Sequence, residues 1–146
     1  MTTSDPFNLV RFVEAQEHDY ENALREIRNG RKTGHWIWYI FPQMKGLGFS
    51  SMSQYYGIGS ADEARAYLNN AILKERLFEI TKALLQHEGQ YAETILGYVD
   101  AMKVRSCMTL FDFIEPDSVF AEVLDVFYNG ERDAKTLEII RSTSKN

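Results

Sequence analysis

Apolar side chains recur every three or four residues along most of the chain, which is the spacing of one face of an amphipathic helix. Signals that start or stop a helix fall in the gaps between these runs. The pattern therefore predicts an all-α fold, arranged as a compact bundle of about seven helices. The main predicted helices cover residues 5–16, 19–29, 60–69, 71–87, 100–114, 116–129 and 133–141, with a short helical turn over 90–96.

Capping residues locate several of the helix ends. The predicted N-terminal caps are Asp5, Ser60, Asp100 and Asp133. Ser60 and Glu63 have the spacing of a capping box, in which each side chain bonds a backbone N–H of the first turn. Gly30 ends the second predicted helix because glycine adopts a left-handed conformation at little cost. The first two helices are therefore expected to form a helical hairpin.

The length and composition indicate one globular domain. The chain has 146 residues, of which 45% are apolar and 25% are charged, and this balance is typical of a folded protein with one core. The domain is expected to span residues 1–146, with frayed ends at about 1–4 and 142–146.

The charge balance excludes several functions. The chain carries 16 Lys and Arg against 21 Asp and Glu, a formal charge of −5, whereas nucleic-acid binding depends on clustered basic side chains. No apolar run is long enough for a membrane helix, and the first residues lack the features of a signal peptide. The single Cys107 has no partner for an intramolecular disulfide. These features indicate a cytoplasmic protein that does not bind a membrane, and they make nucleic-acid binding the least favoured function.

The stretch 34–61 departs from the helical pattern. It contains one formal charge, on Lys45, and seven of the 19 aromatic residues, both tryptophans included. Its apolar run 35–41 is predicted to be a short buried helix that ends at Pro42. The Gly- and Ser-rich remainder is predicted to form turns that cover the core.

The same stretch holds polar groups that need hydrogen-bond partners if they are buried. They include His35, Gln43, Ser50 and Tyr55. A ligand pocket would explain them, since pockets combine apolar and aromatic walls with a few hydrogen-bonding groups. Flat aromatic walls suit a planar ring such as a nucleobase, a nicotinamide or a flavin. The alternative is that these rings fill the core where helices cross.

A later predicted helix adds further polar candidates. Lys103 and Ser106 lie one turn apart on one face, a spacing found in some nucleophile and base pairs but also common by chance. Arg105 is expected to be partly buried, and a buried guanidinium needs an anionic or carbonyl partner. That partner is expected to be Glu14 or Asp112, or else a ligand.

His35 stands beside Arg31 and Lys32, where it could act as an acid or base or bind a phosphate. The alternative is a histidine whose hydrogen bonds are satisfied in the core. No spacing typical of metal ligands or of a phosphate-binding glycine loop is present, so no metal site is predicted and the cofactor stays unassigned. The candidate ligand-binding residues are His35, Trp36, Trp38, Gln43, Ser50, Tyr55, Lys103, Arg105 and Ser106.

Several motifs resemble those of a known family. They are Asp5-Pro6-Phe7, Arg11-Phe12-Val13-Glu14-Ala15-Gln16, Gly30-Arg31-Lys32, His35-Trp36-Ile37-Trp38-Tyr39-Ile40-Phe41-Pro42-Gln43, Gly46-Leu47-Gly48, Tyr56-Gly57-Ile58, Glu63-Ala64-Arg65-Ala66-Tyr67-Leu68 and Lys103-Val104-Arg105-Ser106-Cys107-Met108-Thr109-Leu110-Phe111. On these motifs the chain resembles, from Asp5 to about Leu137, the domain of unknown function 1810 family. The resemblance implies a compact, mainly α-helical domain that is widespread in bacteria, and it brings no established activity. Members are often labelled calpastatin, a protease inhibitor, but such inhibitors are disordered and this chain has a patterned core.

Two functions follow from these candidates. The first is the binding of a small planar or nucleotide-like ligand in an aromatic pocket, with an enzymatic role left open. The second is a protein-interaction module, in which an exposed part of the stretch 34–61 contacts a protein partner or a second copy of the chain, as clusters of Trp, Tyr and Arg do at interfaces.

Overall fold

The computed structural model describes residues 4–144, and the regular structure of that part of the chain is helical, which confirms the all-α prediction. Nine helices are formed over these residues instead of about seven. One predicted pair merges, the short helical segments predicted over 35–41 and 90–96 form helices at Ile37–Ile40 and Ala92–Leu96, and the helix at Ser51–Tyr56 was not predicted. The helices are α1 (Val10–Arg28), α2 (Ile37–Ile40), α3 (Ser51–Tyr56), α4 (Ala61–Asn69), α5 (Ala71–Leu85), α6 (Ala92–Leu96), α7 (Tyr98–Ile114), α8 (Val119–Tyr128) and α9 (Ala134–Thr143).

The predicted N-terminal hairpin is wrong, since α1 runs unbroken from Val10 to Arg28. No glycine or proline interrupts the chain between these residues, and the two predicted helices share one continuous buried stripe. That stripe consists of Phe12, Gln16, Tyr20, Leu24 and Ile27. The C-terminal end agrees with the sequence, because Gly30 adopts a positive φ of 76° just beyond it.

The centre of the fold is α7, which packs against α4, α6, α8 and α9. Buried side chains cover most of its circumference, as expected for a helix surrounded by others. They include Ala101, Val104, Cys107, Met108, Leu110 and Phe111. On the other side of the core, α5 packs against α1, α4 and α8. Burial raises the pKa of the Cys107 thiol well above its ordinary value, because the charged thiolate is disfavoured away from water.

The Gly- and Ser-rich stretch after Pro42 is more regular than the predicted turns. Ser50 caps α3 by accepting a hydrogen bond from the backbone N–H of Ser53 at 3.1 Å. An isolated parallel bridge between Met44 and Ile58 joins the two ends of the segment that lies between them, which we call the excursion. The Ile58 carbonyl accepts from the Lys45 N–H at 2.8 Å, and the Ile58 N–H donates to the Gln43 carbonyl at 2.9 Å.

Two of the four predicted caps are observed, because Ser60 caps α4 and Asp133 caps α9. The predicted cap at Asp5 is wrong, because α1 begins at Val10 with Leu9 at its N-cap position. The Asp5 carboxylate instead accepts from the backbone N–H groups of Leu9 and Val10. The predicted cap at Asp100 is also wrong, because α7 already begins at Tyr98 and Asp100 lies within its first turn. Gly97 precedes that helix with φ 83° and ψ 159°, a conformation that only glycine adopts readily.

The chain ends differ in part from the prediction. Ser142 and Thr143 belong to α9, so the predicted frayed end is helical at its start. Residues 1–3 and 145–146, also predicted to fray, lie outside the described residues. α8 begins at Val119, three residues after the proline that was predicted to start it.

Candidate functional site

A groove of about 390 Å³ separates one face of α7 from the excursion between Met44 and Ile58, and we call it the α7 groove. The helix contributes Val99, Met102, Lys103 and Ser106, whose spacing places them on a single face. The opposite wall and the edge formed by α9 contribute Gln43, Leu47, Gly48, Ser53, Asp133 and Lys135. Polar groups from three separate parts of the chain therefore converge on one open cavity.

Lys103 is held in place on the α7 side of the groove. Its ammonium nitrogen lies 5.1 Å from the centre of the Trp38 ring and 3.9 Å from Oδ1 of Asp100. The other oxygen of Asp100 pairs at 2.7 Å with Lys32, whose side chain is only 6% exposed. Lys32 in turn lies over the Trp36 ring at 4.7 Å. One aspartate thus binds two lysines, each of which rests on a tryptophan face.

A second cavity of about 10 Å³ adjoins the groove and shares Gln43, Gly48 and Ser53 with it. Trp38 also lines this cavity, and its buried indole N–H has no hydrogen-bond partner among residues 4–144. A space of this size accommodates about one water molecule. Within the described part of the chain, the Trp38 N–H is therefore an unpaired donor in a side chain that lines this small cavity.

Ser106 and Lys103 do not form a nucleophile and base pair. The Ser106 hydroxyl donates to the Met102 carbonyl at 3.3 Å, and the Lys103 ammonium lies toward Asp100 and Trp38 instead. This arrangement suits the binding of a polar group more than an attack on it, since an activated serine needs a base within hydrogen-bond reach.

Asp133 supplies the one carboxylate in the groove wall, and its charge is offset by Arg105, which lies outside the groove. Desolvation alone would raise the pKa of Asp133, but hydrogen bonds from the Thr136 hydroxyl and N–H, together with the Arg105 guanidinium at 3.3 Å, lower it below its ordinary value. Asp133 is therefore ionised at neutral pH and paired with Arg105. The basic side chains that line the groove are those of Lys103 and Lys135.

Arg105 lies outside the groove, in a pocket of about 180 Å³ that we call the tyrosine pocket. Its lining residues are Glu93, Tyr98, Ala101, Met102, Arg105 and Tyr128. The prediction that Glu14 or Asp112 pairs with Arg105 is wrong, because the guanidinium contacts Asp133 and, at 3.9 Å, Glu131. Asp112 pairs with Arg132 instead.

The Tyr128 ring is fixed in this pocket. Its hydroxyl donates to the Ala101 carbonyl at 2.6 Å. Burial, reinforced by the nearby Glu93 carboxylate, raises the pKa of Tyr128 above its ordinary value, so the phenol stays protonated and keeps this bond at neutral pH.

The structure brings together some of the residues selected from the sequence and separates the others. Gln43, Lys103 and Ser106 line the α7 groove, and Trp38 lines the adjoining cavity. Five others lie elsewhere: His35 is exposed, Trp36 is buried, Ser50 caps α3, Tyr55 lines a separate cavity beside Arg11, and Arg105 lines the tyrosine pocket.

Trp36 has a structural partner. Its indole N–H donates to Glu26 at 3.0 Å, and the same carboxylate oxygen accepts from the backbone N–H groups of Thr33 at 2.7 Å and Gly34 at 2.8 Å. Desolvation would raise the pKa of Glu26, but these hydrogen bonds outweigh it and lower the pKa. Glu26 thereby fixes the turn that leads from α1 into α2.

The aromatic segment contributes mainly to the core. Trp36, Tyr39 and Phe41 are buried, and Tyr56 packs against Phe12 and Tyr39. Phe49 is instead 84% exposed. The walls of the α7 groove are formed by polar and apolar non-aromatic residues, and Trp38 lines the adjoining cavity.

Sequence reasoning missed two charged residues that shape this region. Arg11 is buried and bonds the Tyr55 carbonyl at 2.8 Å and the Gly57 carbonyl at 3.1 Å, so it anchors the end of the groove wall. Asp133 was recognised only as a helix cap. An arginine within the apolar stripe of α1 was the available signal for Arg11, but its backbone acceptors leave no trace in the sequence.

A larger cavity, of about 610 Å³, lies where α1 begins. Its walls include Pro6, Phe7, Val10 and Val13, and its one ionisable group, Asp5, accepts from the backbone N–H groups of Leu9 and Val10. Its neutral polar residues are Ser4, Asn69 and Asn70, and among the described residues it has no basic side chain that could bind an anionic group. The α7 groove is therefore the stronger candidate despite its smaller volume.

Comparison with known proteins places this chain in a family. Residues 6–140 match the family model described as "Protein of unknown function (DUF1810)". The chain belongs to this family. The crystal structure of the conserved hypothetical protein Rv1873 from Mycobacterium tuberculosis is similar, with 42% sequence identity and a TM-score of 0.91, over 94% of this chain and 99% of that one. No curated protein matches the chain.

Among residues 4–144 of this DUF1810 member, no group of three or more His, Cys, Asp and Glu side chains is placed to hold a metal ion. Over the same range no helix has the length and apolar character that crossing a membrane requires.

Proposed function

We propose that this protein binds a small nucleotide-like ligand through an anionic group held in the α7 groove. One observation carries the proposal: Lys103, Ser106, Gln43 and Ser53, from two distant parts of the chain, line the same open cavity. A groove of about 390 Å³ is within the size range of small-molecule sites.

The chemistry of the lining residues favours an anion. Lys103 is oriented by Asp100 and Trp38 before any ligand arrives, so little side-chain entropy is lost when its ammonium group binds a phosphate or carboxylate. The hydroxyl of Ser53 and the amide of Gln43 add neutral donors on the opposite wall. The aliphatic rim of the groove accommodates the remainder of such a ligand.

The test is a titration of the full chain with a panel of nucleotides and dinucleotides, followed by tryptophan fluorescence. Trp38 lines the cavity next to the groove, so occupancy of the groove should change its emission. Lys103→Ala should raise the dissociation constant about tenfold, because hydrogen bonds to charged groups contribute roughly 1.5–3 kcal/mol. Lys82→Ala, at an exposed lysine of α5, is the matched control and should leave affinity unchanged. Absence of a response across the whole panel would refute the proposal.

A second candidate is self-association through exposed apolar side chains beside the groove. Phe49 follows Gly48 of the groove lining and is 84% exposed, and Val99 of the same lining is 62% exposed. Exposed apolar patches are typical of contact surfaces. Sedimentation equilibrium over a range of concentrations tests this candidate. A dimer that Phe49→Ser converts to a monomer would support it, and a monomeric wild-type protein at all concentrations would exclude it.

A further inference from the structure

The tyrosine pocket and the α7 groove are adjacent and share Met102. With 3.6 residues per turn, the α7 residues that line the pocket and those that line the groove are centred about 100° apart around the helix. The corresponding arc on a helix 10–12 Å wide is roughly 9–10 Å. A short ligand can therefore reach from one cavity into the other by crossing the half-exposed Met102.

The tyrosine pocket has the chemistry of a site for a flat ring. Tyr98 and Tyr128 supply aromatic surface, and the guanidinium of Arg105 supplies a planar cation whose charge Asp133 offsets. Glu93 adds a hydrogen-bond acceptor at the edge. The volume of about 180 Å³ leaves room for one ring system and not for a whole nucleotide.

The groove has the complementary chemistry. It contains the oriented ammonium group of Lys103 and two further polar side chains on the facing wall, Gln43 and Ser53, but no exposed aromatic face. A ligand with a ring at one end and an anion at the other matches both cavities, whereas a ring alone or an anion alone matches only one.

We propose that the tyrosine pocket is the ring subsite of the same ligand, so that a nucleobase lies against Tyr98 and Tyr128 while its phosphate lies at Lys103. This inference rests on the proposed function and extends it, because it assigns the two ends of the ligand to two cavities. Arg105 and Tyr98 are then binding residues. Met102, which lines both cavities, would contact the sugar that joins the base to the phosphate.

Calorimetric titration with AMP and with ribose 5-phosphate, which lacks the ring, tests this assignment. Tyr98→Ala should weaken AMP binding about tenfold, as expected from the loss of one base-stacking partner, and should leave ribose 5-phosphate binding unchanged. Tyr91→Ala is the matched control, since Tyr91 is 78% exposed, against 71% for Tyr98, and lines neither cavity. Circular dichroism confirms that each variant is folded.

The outcomes separate this inference from the proposed function. If Lys103→Ala weakens both probes but Tyr98→Ala affects AMP no more than Tyr91→Ala does, the ring subsite is refuted and the groove stands. If neither probe binds, or if Lys103→Ala changes nothing, the anion site fails and the ring subsite fails with it. Equal weakening of both probes by Tyr98→Ala also refutes the assignment, because the ring is then not what Tyr98 contacts.

Discussion

The buried ion pair between Arg11 and Glu63 gives the sharpest prediction for stability. The two side chains are 7% and 9% exposed and meet at 2.7 Å. All the other guanidinium bonds are to backbone carbonyls, which belong to Phe7, Asn8, Tyr55 and Gly57. This one side chain therefore joins the start of α1, the end of α3 and the first turn of α4.

Replacing Arg11 with methionine keeps much of the side-chain volume and removes the charge and every donor. The Glu63 carboxylate then stays buried with one remaining bond, from the Gly59 N–H at 2.9 Å. Breaking a buried pair in this way costs about 3–5 kcal/mol, a large share of the roughly 5–15 kcal/mol that stabilises most domains. Arg11→Lys keeps the charge but has too few donors for five acceptors, so an intermediate loss is expected.

Urea unfolding followed by circular dichroism measures these free energies. The double variant Arg11→Met with Glu63→Met should be more stable than Arg11→Met alone, because it removes the uncompensated carboxylate. A loss below about 1 kcal/mol for Arg11→Met, or strictly additive losses in the double variant, would show that the pair is not coupled as its geometry indicates.

Three further predictions concern other parts of the fold. Gly97→Ala should lower the free energy of unfolding by about 1–3 kcal/mol although an added Cβ meets no atom within 4 Å; urea unfolding with no loss would refute the backbone argument. The Cys107 thiol should resist an aromatic disulfide reagent in the native protein and react fully after unfolding, because burial raises its pKa; rapid native labelling would contradict this. The pKa of Glu26 is lower in the folded protein than its ordinary value, so the ionised carboxylate stabilises the fold at any pH above that ordinary pKa. This contribution is lost as the pH falls through the folded-state pKa. Glu26→Gln should therefore flatten the loss of stability on acidification, and an unchanged pH profile would exclude that role.

The helical class and most helix bounds could be predicted because they depend on local signals. Ser60 and Asp133 cap helices where their sequence context indicates. The predicted boundary between residues 16 and 19 is wrong, because the buried stripe of α1 continues from Gln16 to Tyr20 and Leu24. In the stretch after Pro42, Ser50 caps α3, but the surrounding glycines and serines favoured a prediction of turns.

Only the part of the candidate site that lies on one face of α7 could be predicted from the sequence. Lys103 and Ser106 line a common groove because their spacing fixes a common direction on α7. The partner of Arg105 was missed because Asp133 is 28 residues away and serves at once as a helix cap and an ion-pair partner. His35 and Tyr55 are candidates by residue type alone, and residue type does not determine which surface a side chain faces.

The bridge between Met44 and Ile58 affects how this protein can diverge from its relatives. Since two backbone hydrogen bonds and Arg11 fix the ends of the excursion, the chain between them can change length at low cost, about 0.6 kcal/mol for each doubling of a flexible loop. Insertions there would reshape one rim of the cavity while the helix opposite stays as it is. Length changes in this segment would therefore alter the shape of the α7 groove on an unchanged helical scaffold.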